Sequence, residues 1–277
     1  MFSTSDPSDQ TVRRSSNVMR ATTKFAQTEC ARSLEFKERQ NMAKVFVTGA
    51  NRGLGLEFAR QYAADGWKVL AAVREPKKAK ELGDVAKKYS NVEIHQLDVT
   101  DEKSIKDLAR ALDDQPIDVL IHNSGVYPRE GQKVGEIDYT GWRAAFETNV
   151  FGPMRVTEAL LKNVAASERK QIAAISSSMA SLRGVEGGSV GQAGTSYQYR
   201  SSKTALNMAL SILAKELEPR GISVTLLDPG WVKTDMGGQH AQLTPEQSIG
   251  GMRKVLAGDP QQIAGKFVGH DGLTRPW

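Results

Sequence analysis

The stretch Lys44–Arg60, KVFVTGANRGLGLEFAR, reads as a buried strand, a glycine turn and the opening of a helix. Val45, Phe46 and Val47 form a short apolar run that begins after polar sequence and stops at Thr48-Gly49, the pattern of a strand covered on both faces. Helical spacing follows at once, with Leu54, Phe58 and Tyr62 at i, i+4 and i+8. Gly49, Gly53 and Gly55 stand where a side chain would obstruct a tight turn or an approaching phosphate. A helix N-terminus offers free N–H groups and partial positive charge, so an anionic diphosphate suits such a turn. A three-glycine turn can also be a plain connection, and the rest of the chain has to decide between the two.

Downstream, strand and helix patterns alternate. This predicts an α/β chain: one Rossmann-like, doubly wound parallel sheet of about seven strands with helices on both faces. Strands are expected at about 44–48, 67–73, 92–97, 117–122, 170–176, 222–227 and 266–268, and helices at about 54–65, 77–88, 102–114, 138–163, 195–218 and 245–257. Ligands of such sheets bind beyond the carboxyl ends of the strands, where the winding reverses. Residues 1–42 are polar and rich in Ser, Thr and Arg, and read as a disordered or appended segment ahead of a single domain over 43–277. Thr11 to Thr28 holds Arg13, Arg14, Arg20 and Lys24 and no acid, as a transit peptide would, whereas Asp6 and Asp9 speak against one. The expected compartment is the cytoplasm, with organelle targeting as the alternative.

Composition excludes several classes. The chain of 277 residues is 39% hydrophobic and 25% charged, an ordinary globular balance, and has no apolar run near the roughly 18 residues that span a bilayer. One cysteine, Cys30, rules out an internal disulfide framework. His95, His122, His240 and His270 lie far apart without metal-ligand spacing, so no metal is expected. The net charge of +5 is scattered, with no basic run of the kind that marks nucleic-acid binding.

The residues that could carry chemistry fall at the expected strand ends. Tyr199 and Lys203 stand at i and i+4 in an expected helix and share one face, where the ammonium would favour the phenolate and lower the phenol pKa from its reference near 10. A tyrosine so tuned can act as general acid or base near neutrality. Ser176, Ser177 and Ser178 follow the fifth strand, and any of the three could be the functional hydroxyl. Pro153 has no N–H for the carbonyl of Asn149, so the helix there must bend or leave that oxygen free. The second strand ends in Val73-Arg74-Glu75, where an adenosine ribose would lie. Arg74, with Arg52 in the glycine turn, suits a 2′-phosphate by bidentate hydrogen bonding, while Glu75 is the acid that would instead suit a free ribose hydroxyl.

These motifs, in this order, resemble the short-chain dehydrogenase/reductase family: the Gly-x-x-x-Gly-x-Gly turn, His122-Asn123-Ser124-Gly125, Asn149, Ser177, Tyr199-x-x-x-Lys203 and Asp228-Pro229-Gly230. The resemblance covers about residues 44–277, and YRSSKTALNM together with the ending from Gly265 to Trp277 looks most like the sniffer-type and C-factor-type carbonyl reductases. It implies catalytic roles for Asn149, Ser177, Tyr199 and Lys203. Ser177 would hydrogen-bond the substrate carbonyl, and the Asn149 carbonyl would bind a water linking Lys203 to solvent. It also implies a cofactor site of Gly49, Asn51, Arg52, Gly53, Leu54, Gly55, Arg74, Asp98, Val99, Asn123, Gly125, Tyr199, Lys203, Pro229, Gly230, Val232 and Thr234, with Asp98 near the adenine and Val232 and Thr234 at the nicotinamide carboxamide and phosphate. His122 and Ser124 depart from the Asn-Asn-Ala-Gly that the family usually carries.

The expectation is therefore an NADP(H)-dependent carbonyl reductase acting on a small-molecule carbonyl or alcohol as a homodimer or homotetramer. The alternative is a nucleotide-bound signalling or scaffold protein of the same fold. LRGVEGGSVGQAG, from Leu182 to Gly194, is expected to form a mobile loop over the substrate, with Leu182, Val185, Tyr197, Trp231 and Met236 as candidates for an apolar pocket.

Overall fold

The computed structural model describes residues 42–128, 133–186 and 196–277. The expectations for residues 1–41, and for the loop beyond Glu186 up to Gly194, lie outside the described residues. Seven parallel strands form one sheet in the order β3-β2-β1-β4-β5-β6-β7. They are β1 (Lys44–Thr48), β2 (Lys68–Val73), β3 (Val92–Gln96), β4 (Val119–His122), β5 (Gln171–Ile175), β6 (Ser223–Asp228) and β7 (Phe267–Gly269). The helices are α1 (Gly53–Ala64), α2 (Lys80–Lys88), α3 (Glu102–Ala111), α4 (Tyr139–Phe146), α5 (Gly152–Ala165), the short α6 (Leu182–Glu186), α7 (Tyr197–Leu217), α8 (Pro245–Ala257) and the one-turn α9 (Pro260–Ile263).

Alternation along each strand splits the core in two. Phe46, Leu70, Leu120, Ile172, Val224 and Leu226 pack with α3, α5 and α7 through Ile105, Leu160, Leu206 and Leu210. Val45, Val47, Val69, Ile121, Ala173 and Leu227 pack on the other side with α1 and α8 through Phe58, Tyr62, Ile249 and Met252. The central strands are thus buried on both faces, while the edge strand β3 stays partly exposed from Glu93 to Gln96. Between β1 and β4 the winding reverses, and a crevice opens there at the carboxyl edge.

The short helices α6, at the start of the loop expected over Leu182–Gly194, and α9 lie outside the expected set, and three expected helices differ in form. The helix expected over 77–88 opens with a separate 3₁₀ turn, Pro76–Lys78, before α2 begins. The helix expected over 102–114 stops at Ala111, and Asp114 takes a positive φ of 61° just beyond it. The long helix expected over 138–163 contains a widened π turn, Glu147–Phe151, ahead of Pro153. Without a proline N–H the regular ladder cannot continue, and the N–H of Gly152 reaches back five residues to the carbonyl of Glu147.

Candidate active site

A cleft of about 340 Å³ runs along the carboxyl edge of the sheet. Gly49, Asn51, Arg52, Gly53 and Leu54 line one end. Gly55 lies beneath: a Cβ there would sit 2.2 Å from the carbonyl oxygen of Gly49, so only glycine lets α1 start this close to the turn. No side chain caps the first turn of α1, which leaves its N–H groups for a ligand. Asn123 holds the turn from across the sheet. Its Nδ2 donates to the carbonyls of Thr48 (3.0 Å) and Gly49 (3.1 Å), and the Thr48 hydroxyl accepts from the N–H groups of Asn123 (3.0 Å) and Ser124 (2.9 Å).

The same end carries three cations, two of them paired with carboxylates. Arg74 lines the cleft and, among the described residues, has no ion-pair partner. Glu75 has its carboxylate on Lys78, and Lys78 is also a wall of the cleft. Arg52 reaches across to Asp235 at 2.9 Å, with both side chains largely exposed. The sequence reading missed Lys78 and Asp235, since nothing local to either signals the cleft. Asp98 and Val99 line the adjoining wall, and the Asp98 carboxylate accepts from the N–H (2.9 Å) and hydroxyl (2.7 Å) of Thr100. Pro229 and Thr234 also line it, whereas Gly230 and Val232 do not. Val232 is buried and bridges to Leu243, and a Cβ on Gly230 would meet Leu243 at 2.7 Å. An uncapped helix start, a glycine cradle and cations at one end form a donor set that fits a long, phosphorylated ligand.

At the other end lie Tyr199 and Lys203 of α7 with Ile175 and Ser176 of the β5 edge. Lys203 Nζ donates to the Ile175 carbonyl at 2.8 Å and stands 5.7 Å from the centre of the Tyr199 ring. The three serines now separate. Ser176 is buried and donates to Asn207 Oδ1 at 2.5 Å, the N–H of Ser178 donates to Asp228, and the Ser177 hydroxyl, which accepts from the N–H of Met179 at 3.2 Å, is the one that acts on the Tyr199 phenol. Tyr127 adds an edge contact to the Tyr199 ring at 4.5 Å between centres.

One expectation is corrected here. Burial pushes the Tyr199 phenol up to about 12; Ser177 opposes that, while Tyr127 and Asp228 add to it. Burial also lowers the Lys203 ammonium to about 8. The expected lowering of the phenol by Lys203 is absent, because the ammonium lies over the ring and its hydrogen bond goes to a backbone carbonyl.

Asn149 is fully buried in the π turn. Its Oδ1 accepts from the N–H of Val126 (2.8 Å), and its Nδ2 donates to the Val126 carbonyl and to Ser202 Oγ (both 3.0 Å). Gly125 closes the triangle: a Cβ on it would lie 3.4 Å from Asn149 Oδ1 and 3.6 Å from Lys203 Nζ. His122 faces the opposite way. It is buried, and Nε2 meets Thr157 Oγ1 of α5 at 2.8 Å, so it belongs to the core and not to the cleft. Among the described residues there is no cluster of His, Cys, Asp or Glu that could hold a metal, and no helix is long and apolar enough to cross a membrane.

Comparison with known proteins shows the family of this fold. The family model described as short chain dehydrogenase matches residues 43–243. The C-signal protein of Myxococcus xanthus is 38% identical over 164 residues, which is 58% of this chain and 93% of that protein. An NADPH-bound carbonyl reductase from chicken fatty liver superposes with a TM-score of 0.79 at 32% identity, covering 85% of this chain and 99% of the other. The carbonyl reductase Sniffer of D. melanogaster gives a TM-score of 0.78 at 30% identity, over 86% of this chain and all of its own. The chain belongs to the short-chain dehydrogenase family.

Proposed function

We propose that this family member is an NADPH-dependent carbonyl reductase, able to run alcohol oxidation in reverse, with Ser177, Tyr199, Lys203 and Asn149 as its working residues. NADPH, when bound, supplies the hydride that reduces the carbonyl carbon. Gly49, Asn51, Gly53 and Leu54 with the first turn of α1 would hold the diphosphate, and Arg74, Arg52 and Lys78 the 2′-phosphate. Asp98 and Val99 would flank the adenine, with Asn123 and Gly125 keeping the adjoining wall in place. Pro229, Gly230, Val232 and Thr234 form the loop that would meet the nicotinamide end.

Each residue at the chemical end has a definable task. The Tyr199 phenol, held protonated by burial, is the general acid that delivers a proton to the carbonyl oxygen. Ser177, which acts on that phenol, would orient the same oxygen. Lys203 would offer its ammonium to ribose hydroxyls of the cofactor. Asn149 ties Val126 to Ser202 and so sets α7 against the β4 edge.

The observation that carries this reading is that Tyr199 and Lys203 line the same cleft as the glycine turn and Arg74, with Lys203 Nζ 5.7 Å from the Tyr199 ring centre. The test is a panel of aldehydes, ketones and alcohols with NADPH, NADH and their oxidised forms, run on the wild type and on Tyr199→Phe. Turnover with NADPH that disappears in the variant, while NADPH binding persists, is the expected result. An active variant would sink the assignment. The name of the C-signal relative gives a second reading some support, that of a nucleotide-bound signalling protein, for which the panel would show binding without turnover. We also propose self-association, since Tyr139, Trp142, Phe146 and Phe151 line an open aromatic groove on α4 and the π turn.

A further inference from the structure

The segment after β7 returns to the loop that carries Ser177. Asp228, the last residue of β6, has a side chain only 5% exposed. Its Oδ1 accepts from the N–H groups of Ser178 (3.1 Å) and Gly230 (3.3 Å), so a single oxygen joins the serine segment to the Pro229-Gly230 turn. Its Oδ2 accepts from Arg275 Nε at 2.9 Å, and the far end of that guanidinium donates from Nη2 to Asp271 at 3.0 Å. Room for the guanidinium exists because residue 269 has no side chain: a Cβ there would lie 2.0 Å from Arg275 Nη2. Two further ties reach the serine loop from the same segment, since the Trp277 carbonyl accepts from Ser181 Oγ and from the N–H of Arg183, both at 3.1 Å. Trp277 stacks on Phe267 of β7, which anchors the segment to the sheet.

We propose that Arg275 is a positioning residue for the reaction, fixing the Ser177 segment and the Pro229-Gly230 turn against one another through the Asp228 carboxylate. A buried carboxylate held by two backbone N–H groups needs a cation to keep its place, and losing that cation leaves an uncompensated charge that pulls toward solvent. Ser178 would move with it. Ser177 immediately precedes Ser178, and its hydroxyl has to meet the phenol and the substrate oxygen together, so a displacement of about 1 Å suffices to slow the chemical step strongly. Asp228 is also among the charges that raise the Tyr199 phenol, and the guanidinium offsets it. Arg275 touches neither cofactor nor substrate in this scheme; it acts through Asp228.

The inference rests on the carbonyl-reductase reading, and its test is arranged to fail separately from it. Wild type without turnover, or an active Tyr199→Phe, counts against the reading, whereas Arg275 variants are compared with an active wild type. Arg275→Met should lower kcat about ten-fold, with KM for the carbonyl and the NADPH dissociation constant within about two-fold of wild type. Hydrogen exchange of the amides from Ser176 to Arg183 should accelerate in the same variant without any ligand present. Arg275→Lys should recover most of the loss. Wild-type kcat or unchanged amide exchange in Arg275→Met would overturn the proposal. So would a loss carried by weaker NADPH binding. Should Arg275→Met not fold, the double variant Asp228→Asn, Arg275→Met removes the stranded charge. It should retain at least about a three-fold loss in kcat, and wild-type kcat in it overturns the proposal.

Discussion

Lys203 Nζ stands 5.7 Å from the centre of the Tyr199 ring while donating to the Ile175 carbonyl at 2.8 Å, so α7 lays an ammonium against the ring of a buried phenol. Burial moves the two groups in opposite directions, the phenol up to about 12 and the ammonium down to about 8. Their protonation therefore changes at well-separated pH.

Carbonyl reduction should be flat through neutral pH and fall as pH rises through about 8, because the Lys203 charge is lost there while Tyr199 keeps its proton until about 12. A kcat profile for reduction checks this. A single alkaline midpoint near the value for Lys203 is expected; a profile level to pH values well beyond it would assign the ammonium no part in the step.

If Arg74 holds the 2′-phosphate as proposed, Arg74→Ala should weaken NADPH binding by about ten-fold and leave NADH binding unchanged. Dissociation constants from cofactor fluorescence report this. Equal losses for the two cofactors would place Arg74 elsewhere in the site.

Arg52 is held by Asp235 in an exposed ion pair across the cleft. Exposed pairs contribute only about 0–1 kcal/mol, so the pair should yield to a phosphate at small cost. Asp235→Asn should tighten NADPH about two- to three-fold by freeing Arg52, an effect that shrinks as salt is added. Weaker binding in this variant would show Asp235 to be a support of the loop and not a competitor.

His122 gives the fold a pH dependence. Burial lowers its pKa from 6.5 to about 3, so between those values the unfolded chain takes up a proton that the folded chain refuses. Stability from this group is complete above about pH 6.5 and declines on acidification toward 3, with a slope approaching about 1.4 kcal/mol per pH unit. Urea unfolding at several pH values should show a shallower acid slope in His122→Asn than in wild type. Parallel slopes would mean that the ring is already protonated in the fold.

The sheet and the helix of Tyr199 and Lys203 were legible because their signals are local. Val45 to Val47 is a strand by its neighbours alone, and Tyr199 meets Lys203 because helical geometry brings i and i+4 together. What stayed hidden depends on distant chain. Arg52 and Asp235 are 183 residues apart, His122 reads as part of a cofactor motif until α5 brings Thr157 to it, and Lys78 declares itself only once the turn after β2 bends toward the cleft. The phenol's direction of shift belongs to the same group. Spacing puts an ammonium nearby, but only packing sets the burial that dominates. Pro153 lies between the two cases, since its missing N–H forces an irregularity at Asn149, while the form taken, a π turn that buries the residue, depends on Val126 and Ser202.

The centre of the sheet closes over a long span: the Lys44 N–H reaches the Asp118 carboxylate 74 residues away, and Thr48 is joined to Asn123 75 residues away. Pairings this distant are slow to form, so during refolding the glycine turn stays unbuilt until β4 has docked beside β1. A nucleotide arriving early finds nothing to grip. It should leave the rate of renaturation unchanged and act only afterwards, as a brake on unfolding.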